Sequence, residues 1–454
     1  MAPDSATTVD AEEGDDALPP VHLNRDFRVL WLARTLGQTA ANTAQFGSLI
    51  VIVEETGSGF LSSVVVLSWV LPGALVSVLS GIVVDAVPKT WLLAVANGLR
   101  AVGCFVFITS AQGTEEVFAL VLFLSALGPF VGPAESALVP TLVRRENLTA
   151  ANALLNFMRY MAQIAGLVVL APLLTRTAGV DVLFVTTGSL FAAAAVYSAL
   201  IPMGVIAPHE PLEFPDEDAR PRARGLREAR QFLIENREVW QAVVQLSLLA
   251  ALLPLLLALI PIYLVEALDQ RVSDLPVVII PAVVGMLLGL RLVAGIARGR
   301  GVGGLARAGL VVFIAAVVAL SLVDVLEESL GSALSLTRID LGFVEVSPES
   351  QIVMIILLPM GFAFSLVNVA ANAVLNARVP GGMQGRVFAL QSVLAGVASV
   401  PPLLAGGGLT EILDVRIVLG LSPVVLVLAW MWSHWGTPGP VGAWRRRALQ
   451  RSSP

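Results

Sequence analysis

The sequence predicts an all-α membrane protein of about twelve transmembrane helices, and three observations lead to this fold class. Of its 454 residues, 56% are hydrophobic and 14% charged, with a mean hydropathy of +0.82. Soluble domains are about half apolar and about a quarter charged. Apolar runs of the roughly 20 residues that cross about 30 Å of hydrocarbon recur along the chain. Lys and Arg are concentrated in alternate loops between those runs.

Twelve apolar runs between helix breakers are predicted to span the membrane. A polar stretch at 204–236, with four prolines and five arginines, divides them into an N-terminal half at 22–203 and a C-terminal half at 237–435. A weak internal repeat supports two six-helix halves, which is a known way to build a transporter. The predicted spans lie at 28–54, 60–84, 89–111, 115–140, 148–174, 180–203, 237–267, 275–298, 303–326, 350–378, 384–409 and 413–435.

The two ends of the chain are predicted to be tails outside the bilayer. Residues 1–21 are acidic and lack the basic and apolar regions of a signal peptide, so we expect a disordered cytoplasmic tail. Residues 436–454 form a basic C-terminal tail.

Positive charges predict which side each loop faces. Cations near span ends are retained in the cytoplasm. With the N-terminus inside, Lys89, the linker arginines and the C-terminal arginines fall on the cytoplasmic side. Arg176, Arg271, Arg338 and Arg416 fall outside. The bias predicts N-in and C-in ends and a multi-pass protein of the plasma, or bacterial inner, membrane.

The longest outer segment, 327–349, is rich in acidic residues. Its composition is typical of a solvated loop. A gate over the outer mouth is the alternative.

Few side chains suit metal or enzyme chemistry. The single cysteine, Cys104, lies within an apolar run, and the three histidines lie in loops or at helix ends. We therefore expect no metal, no cofactor and no enzymatic activity. The sequence contains no Gly-x-x-x-x-Gly-Lys-Ser/Thr motif, which argues against ATP hydrolysis in this chain.

Polar side chains form stripes on several otherwise apolar spans. In the first span they step by four, four and three residues, which keeps them within about 80° of arc. Such residues bond neighbouring helices or face a wet cavity, and stripes in both halves favour a central substrate cavity. The predicted cavity residues are Arg34, Gln38, Asn42, Gln45, Asn156, Arg159, Gln163, Gln241, Gln245, Asn368, Asn372 and Gln391.

One carboxylate is a candidate for proton coupling. Glu135 lies in a span kinked by Pro129 and Pro133. A buried carboxylate beside a cation such as Arg159 could load and release a proton near neutral pH. A static ion pair with an arginine of the following loop is the alternative.

A motif after the second span carries a family resemblance. Gly81-Ile-Val-Val-Asp85-Ala-Val-Pro-Lys89 resembles the Gly-x-x-x-Asp-Arg-x-x-Arg/Lys signature of the major facilitator superfamily. The phrases at 24–31, 148–154 and 384–388 look like the branch containing the enterobactin exporter and macrolide efflux proteins. The resemblance covers the chain from about residue 22 and implies that family's two-halved fold.

The resemblance implies a conformational role for the motif. In the superfamily its aspartate stabilises the outward-facing state by docking near the start of helix eleven. Carried over, Asp85 would meet that helix near Arg386, with Gly81 and Lys89 completing the motif. Ala86 stands where arginine is usual and Pro88 where glycine or a polar residue is common, which implies a weaker or differently set contact.

These features predict a secondary active exporter of a small amphipathic molecule, of the drug, macrolide or siderophore type. Alternating access with proton antiport is the expected mechanism, although the Gly-Pro motif typical of the fifth span in proton-coupled relatives is eroded. The expected partners are a small-molecule substrate, the lipid bilayer and a proton, with no nucleic acid, and the expected state is a monomer. The alternatives are a lipid or lysolipid flippase and a non-transporting sensor or scaffold.

Overall fold

The computed structural model describes residues 24–110, 113–143, 147–202, 222–300, 302–330, 337–340 and 345–435. These residues form fourteen α-helices, one π-helical segment, one 3₁₀ turn and one two-stranded hairpin. The α-helices are α1 (Arg25–Thr56), α2 (Gly59–Ala86), α3 (Lys89–Ile108), α4 (Thr114–Leu142), α5 (Leu148–Gln163), α6 (Ala171–Ala199), α7 (Arg222–Glu235), α8 (Arg237–Glu266), α9 (Leu275–Arg300), α10 (Val302–Ser321), α11 (Val323–Leu330), α12 (Pro348–Arg378), α13 (Gly381–Leu409) and α14 (Val415–Trp435).

The all-α membrane fold is confirmed, and a helix occupies each of the twelve predicted span positions. Among the described residues, eight helices are long and apolar enough to cross a membrane by length and composition. The helices α1, α2 and α14 are not among these eight, and one of the eight, Phe157–Ala199, covers two predicted spans. That all twelve positions cross the bilayer stays a prediction.

The fifth and sixth predicted spans form one bent helical run rather than two separate helices. The run passes from α5 through the π-helical segment Ile164–Leu170 into α6. It bends at Gly179, whose φ of 84° and ψ of 176° lie outside the helical region and suit glycine. The bend falls between the predicted ends of the two spans, so both arms occupy their predicted positions.

The stretches predicted as linker and outer loop contain regular structure. The C-terminal part of the 204–236 linker is the helix α7, which packs against α8 and α13. The outer segment begins within α11 and contains an antiparallel pair of two-residue strands, β1 (Ile339–Asp340) and β2 (Glu345–Val346). Residues 203–221, which include most of the predicted linker, and both predicted tails lie outside the described residues.

Close packing between helices depends on glycine at two crossings. A side chain at Gly361 would meet the Ala282 carbonyl, so α12 approaches the α9 backbone there. At Gly166, a Cβ atom would lie 2.5 Å from the Thr39 carbonyl oxygen, so the π-helical segment lies directly on α1. Small residues at such sites are how membrane helices pack without a hydrophobic driving force between them.

The apolar core is shared at one end of the molecule and divided at the other. The largest buried cluster combines the later parts of α1 and α8, around Phe46 and Leu259, with neighbours from both halves of the chain. Toward the opposite end, one separate cluster surrounds Phe27 and Leu142, and another surrounds Val243 and Leu375. In the orientation predicted from the loop charges, the shared core lies toward the outside and the separate clusters toward the cytoplasm.

Candidate transport site

A cavity of about 360 Å³ lies between the two halves of the chain. Its walls come from α1, α2, α5, the π-helical segment, α8, α9, α10 and α12. A concave, mostly apolar site between helices with a few polar groups is typical of small-molecule binding.

Polar groups in this cavity lie on the N-terminal half. They are Gln45 of α1 and Tyr160 and Gln163 of α5. The C-terminal half contributes an apolar wall. This wall is formed by Leu253, Pro254, Leu256, Leu257, Ile260, Ile279, Ala282, Val283, Met286, Phe313, Leu357, Met360, Gly361 and Phe364. The cavity therefore has one polar side and one apolar side.

The π-helical segment shapes the polar side of the cavity. It begins directly after Gln163 and supplies Ile164, Leu167 and Val168 to the lining. A π turn widens the helix locally and is frequent at functional sites. Hydropathy does not predict this segment, because it does not distinguish a π turn from an α turn.

A charged cluster surrounds Glu135 in the N-terminal half. Its carboxylate lies 3.3 Å from Nε of Arg34, and both side chains are largely buried. Arg100 and Arg159 also interact electrostatically with Glu135. The sequence suggests two partners for Glu135, namely Arg159 or an arginine of the following loop. The arginines of that loop lie outside the described residues. The structure instead pairs Glu135 with Arg34.

The four charged residues of this cluster lie at a similar depth. Each is about 7 to 11 residues from the inner end of its own helix. At 1.5 Å per residue, this places them about 10 to 17 Å along the helix axes from those ends. The cluster therefore lies at the depth of the inner part of the N-terminal half rather than at its helix ends.

Arg100 is a member of this cluster for which the sequence analysis proposed no function. Its side chain is 7% exposed, its guanidinium lies 5.5 Å from the centre of the Phe191 ring, and its Nε has no hydrogen-bond partner. Gly128 allows this placement, since a Cβ atom there would lie 3.2 Å from a terminal nitrogen of Arg100. A lone arginine in the middle of an apolar span was the available signal.

Two predicted cavity residues line a different space. Gln241 and Gln245 of α8 face a second cavity of about 380 Å³ at the inner ends of α8, α10 and α12. Its rim carries an exposed ion pair, Arg378 with Glu238, at 3.0 Å. The structure thus separates these glutamines from Gln45 and Gln163.

The remaining predicted residues take several different positions. The Asn372 side-chain amide donates to the backbone carbonyl and the side-chain oxygen of Asn368, at 2.8 and 3.0 Å, so this pair is bonded along α12. Asn42 is buried against the π-helical segment, with its Nδ2 lacking a partner. Gln38, Gln391 and Lys89 are half-buried. The side chains of Asn156, Asp85 and Arg386, and the surroundings of Gly81, are outside what the structure describes.

Direct contacts join the two halves at the outer end. The Ser58 hydroxyl donates to the Glu411 carboxylate at 2.6 Å, and the Phe60 N–H donates to the same oxygen at 3.2 Å. The hydrogen bond from Ser58, followed by the backbone N–H donors, holds the pKa of Glu411 below its usual value. Arg176 forms an ion pair with Asp274 across the same boundary. We call these contacts the outer seal.

A cavity between two groups of membrane helices, sealed at one end, defines a membrane transporter as the class of protein. The family model described as "Major Facilitator Superfamily" matches residues 30–345, and the chain belongs to this superfamily. No curated protein sequence matches the chain significantly. The superfamily resemblance is thereby confirmed, whereas the likeness to the enterobactin and macrolide exporter branch stays a prediction.

Solved structures share the fold at low sequence identity. The nucleoside transporter NupG is 14% identical, with a TM-score of 0.65 over 90% of this chain and 99% of its own. A bacterial homolog of the human lysosomal transporter Spinster, in an inward-facing and occupied conformation, is 11% identical, with a TM-score of 0.65 over 90% and 95%. A bacterial homologue of the iron transporter ferroportin, in an inward-facing state, is 17% identical, with a TM-score of 0.63 over 90% and 99%.

Proposed function

We propose that this transporter is a proton-coupled exporter of a small amphipathic molecule of the drug, macrolide or siderophore type. The observation that carries the proposal is the cavity between the halves, which has amide and phenol groups on one side and an apolar wall on the other. A molecule with one polar face and one apolar face matches both sides at once.

Alternating access supplies the transport cycle in this proposal. Superfamily halves rock about a site near the membrane midplane. The shared core and the outer seal hold the two halves together at their outer ends, as in a state closed to the outside. Toward the cytoplasm each half has its own apolar cluster, and these clusters do not join. Export then requires the outer seal to break and the inner ends to come together.

Glu135 is the proposed proton carrier. Its negative charge holds Arg34 at 3.3 Å and interacts with Arg159, which lies on the same helix as Gln163 of the cavity. A proton on Glu135 would remove the attraction between α4 and the arginines of α1 and α5. Proton binding would thereby be linked to the position of helices that line the cavity.

Other parts of the proposal follow from the sequence. The chain works as a monomer in the plasma membrane, with N-in and C-in ends and 204–236 as the cytoplasmic connection between two six-helix units. In the same proposal, Asp85 and Arg386 meet in the outward-facing state.

Transport in proteoliposomes tests the proposal. Dye, macrolide and siderophore movement would be followed with and without an imposed pH gradient. The wild type should move at least one cargo faster with the gradient, and Glu135→Gln should move it at the same rate with or without the gradient. Glu238→Gln is the matched control, because Glu238 also pairs with an arginine but is largely exposed at the inner surface; it should retain the gradient response.

Each outcome decides between the proposed functions. If transport by Glu135→Gln still speeds up with the pH gradient, Glu135 is not the coupling residue. If the wild type transports at the same rate with and without the gradient, the protein is not a proton antiporter. Flipping of a fluorescent lysolipid without movement of any soluble cargo would instead support the flippase alternative, and no movement of either would support a scaffold.

A further inference from the structure

We propose that the inner end of the central cavity binds an acidic group, so that the transported molecule is an amphipathic anion. This inference rests on the proposed function of the cavity and specifies its substrate class. The evidence for it is the charged cluster around Glu135 and the position of that cluster on the cytoplasmic side of the cavity.

The charges of the N-terminal half do not balance in its interior. Away from the helix ends and the bend at Gly179, α1 to α6 contain three arginines, Arg34, Arg100 and Arg159, and one acidic residue, Glu135. All three arginines act on that single carboxylate. With arginine always charged and Glu135 ionised, the cluster carries a formal excess of two positive charges.

An excess of positive charge is costly at this depth. Charged side chains within a bilayer are tolerated where they pair or face water. Arg100 is 7% exposed, and its Nε donor has no hydrogen-bond partner. A ligand anion near the cluster would lower this cost by supplying the missing negative charge.

Arg159 places this charge excess next to the substrate cavity. It precedes Tyr160 and lies four residues before Gln163, and both of these line the cavity. Four residues of helix turn by about 400°, so Arg159 and Gln163 share one face, with Arg159 about 6 Å nearer the cytoplasm. Arg159 is exposed rather than buried, and in this proposal a ligand reaches its guanidinium from the cytoplasmic end of the cavity.

The opposite wall fixes the orientation of such a ligand. The lining contributed by α8, α9, α10 and α12 is apolar and includes Leu253, Met286, Phe313 and Phe364. An acidic group at Arg159 would leave an apolar body facing that wall. A neutral amphiphile would gain the apolar contact but not the charge pairing.

Matched probes separate these two contributions. Binding of dodecanoate, dodecanamide and dodecyltrimethylammonium to the purified full chain would be measured by isothermal calorimetry in a neutral detergent. We expect dodecanoate to bind at least tenfold more tightly than dodecanamide, with the trimethylammonium probe weakest. Arg159→Gln should bring the ratio of the affinities for dodecanoate and dodecanamide close to one. Arg159→Lys should keep most of the wild-type preference for dodecanoate. Glu135→Gln should increase the affinity for dodecanoate.

The control variant is Arg378→Gln, which removes an exposed arginine at the inner end of the C-terminal half and should keep the wild-type ratio. Each variant would be required to elute as a single species on size exclusion. Equal binding of carboxylate and amide by the wild type, or an unchanged ratio in Arg159→Gln, would overturn the inference. Transport of dodecanamide by the same preparation would then leave the proposed exporter function intact.

A second arm distinguishes a soluble anion from a bilayer lipid. The dodecanoate titration would be repeated in nanodiscs of phosphatidylcholine and of phosphatidylglycerol. Equal affinity in both identifies the soluble amphiphile as the ligand. At least a tenfold loss in phosphatidylglycerol identifies the lipid headgroup as the occupant and overturns the assignment to transported substrate.

Discussion

The glycine at position 407 allows the outer seal to close, and replacing it should open the protein to the outside. Gly407 of α13 faces α2 of the other half. A Cβ atom there would lie 2.5 Å from the Ser63 Cβ and 2.8 Å from the Gly59 carbonyl oxygen, and would also meet the Ser63 hydroxyl. Ordinary carbon contacts are about 3.5–4.0 Å, so Gly407→Ala requires the two helices to separate by about 1 Å or more.

The size of this effect follows from known costs of overpacking. Inserting a methyl group into a packed interface costs about 1–3 kcal/mol. The strain exists only when the outer ends of the halves meet, so it acts on the equilibrium between the closed and open outer side. A difference of about 1–3 kcal/mol shifts that equilibrium by about 5- to 150-fold toward the open state.

Distances between spin labels at the outer end would measure this shift. Cys104→Ala removes the native cysteine, and Glu115→Cys and Ile412→Cys place one exposed label on each half; Ile412 is 82% exposed. Pulsed electron paramagnetic resonance should show a longer-distance population in Gly407→Ala. Gly408→Ala is the adjacent control, because its Cβ atom would meet only Phe60, at 3.9 Å. An unchanged distance distribution in folded Gly407→Ala would refute the reasoning.

Two further predictions concern the outer seal, and a third concerns helix packing within the C-terminal half. The pKa of Glu411 is lowered in the closed state, so ionised Glu411 stabilises closure above about pH 4.5, and this stabilisation is lost as the pH falls through the lowered pKa. The population of the open state should therefore rise in acid. Glu411→Gln should remove this pH dependence. In a Cys104→Ala background, Arg176→Ala and Asp274→Ala should each increase labelling of a cysteine placed at Val53, which is buried and lines an outer cavity together with Arg176. The double variant should match either single one, because one ion pair is lost in all three. Gly361→Val should abolish monodisperse protein, because α12 lies against the α9 backbone there, whereas Gly304→Val should not, since a Cβ at Gly304 meets nothing within 4 Å.

Hydropathy was sufficient to predict the helices because lipid imposes a simple condition. Every backbone polar group in the bilayer must be satisfied internally, so long apolar runs become helices wherever they occur. The positions of all twelve predicted spans follow from this condition. The π-helical segment does not follow from it, because that segment lies in close contact with α1 at Gly166. The bend at Gly179 does not follow either, because hydropathy carries no information about the backbone dihedral angles of one glycine.

The candidate site was predictable in its residue types but not in its pairings. The stripe on α1 places Arg34, Asn42 and Gln45 on one arc, yet each meets a different neighbour. Arg34 pairs with Glu135, Asn42 lies against the π-helical segment, and Gln45 lines the cavity. A helix that crosses several others along its length changes partners every few turns, and periodicity within one helix carries no information about those partners.

Reversible crosslinking of the outer seal shows whether transport through the cavity requires the two halves to separate at their outer ends. Ser58→Cys with Glu411→Cys, in a Cys104→Ala background, joins the two halves where their side chains are hydrogen-bonded at 2.6 Å. Transport of the cargo identified in proteoliposomes would be measured after oxidation and again after reduction, with each single-cysteine variant as control. If transport proceeds by alternating access, oxidation should stop it in the double variant alone and reduction should restore it. Undiminished transport by a fully crosslinked protein would rule out alternating access through this cavity.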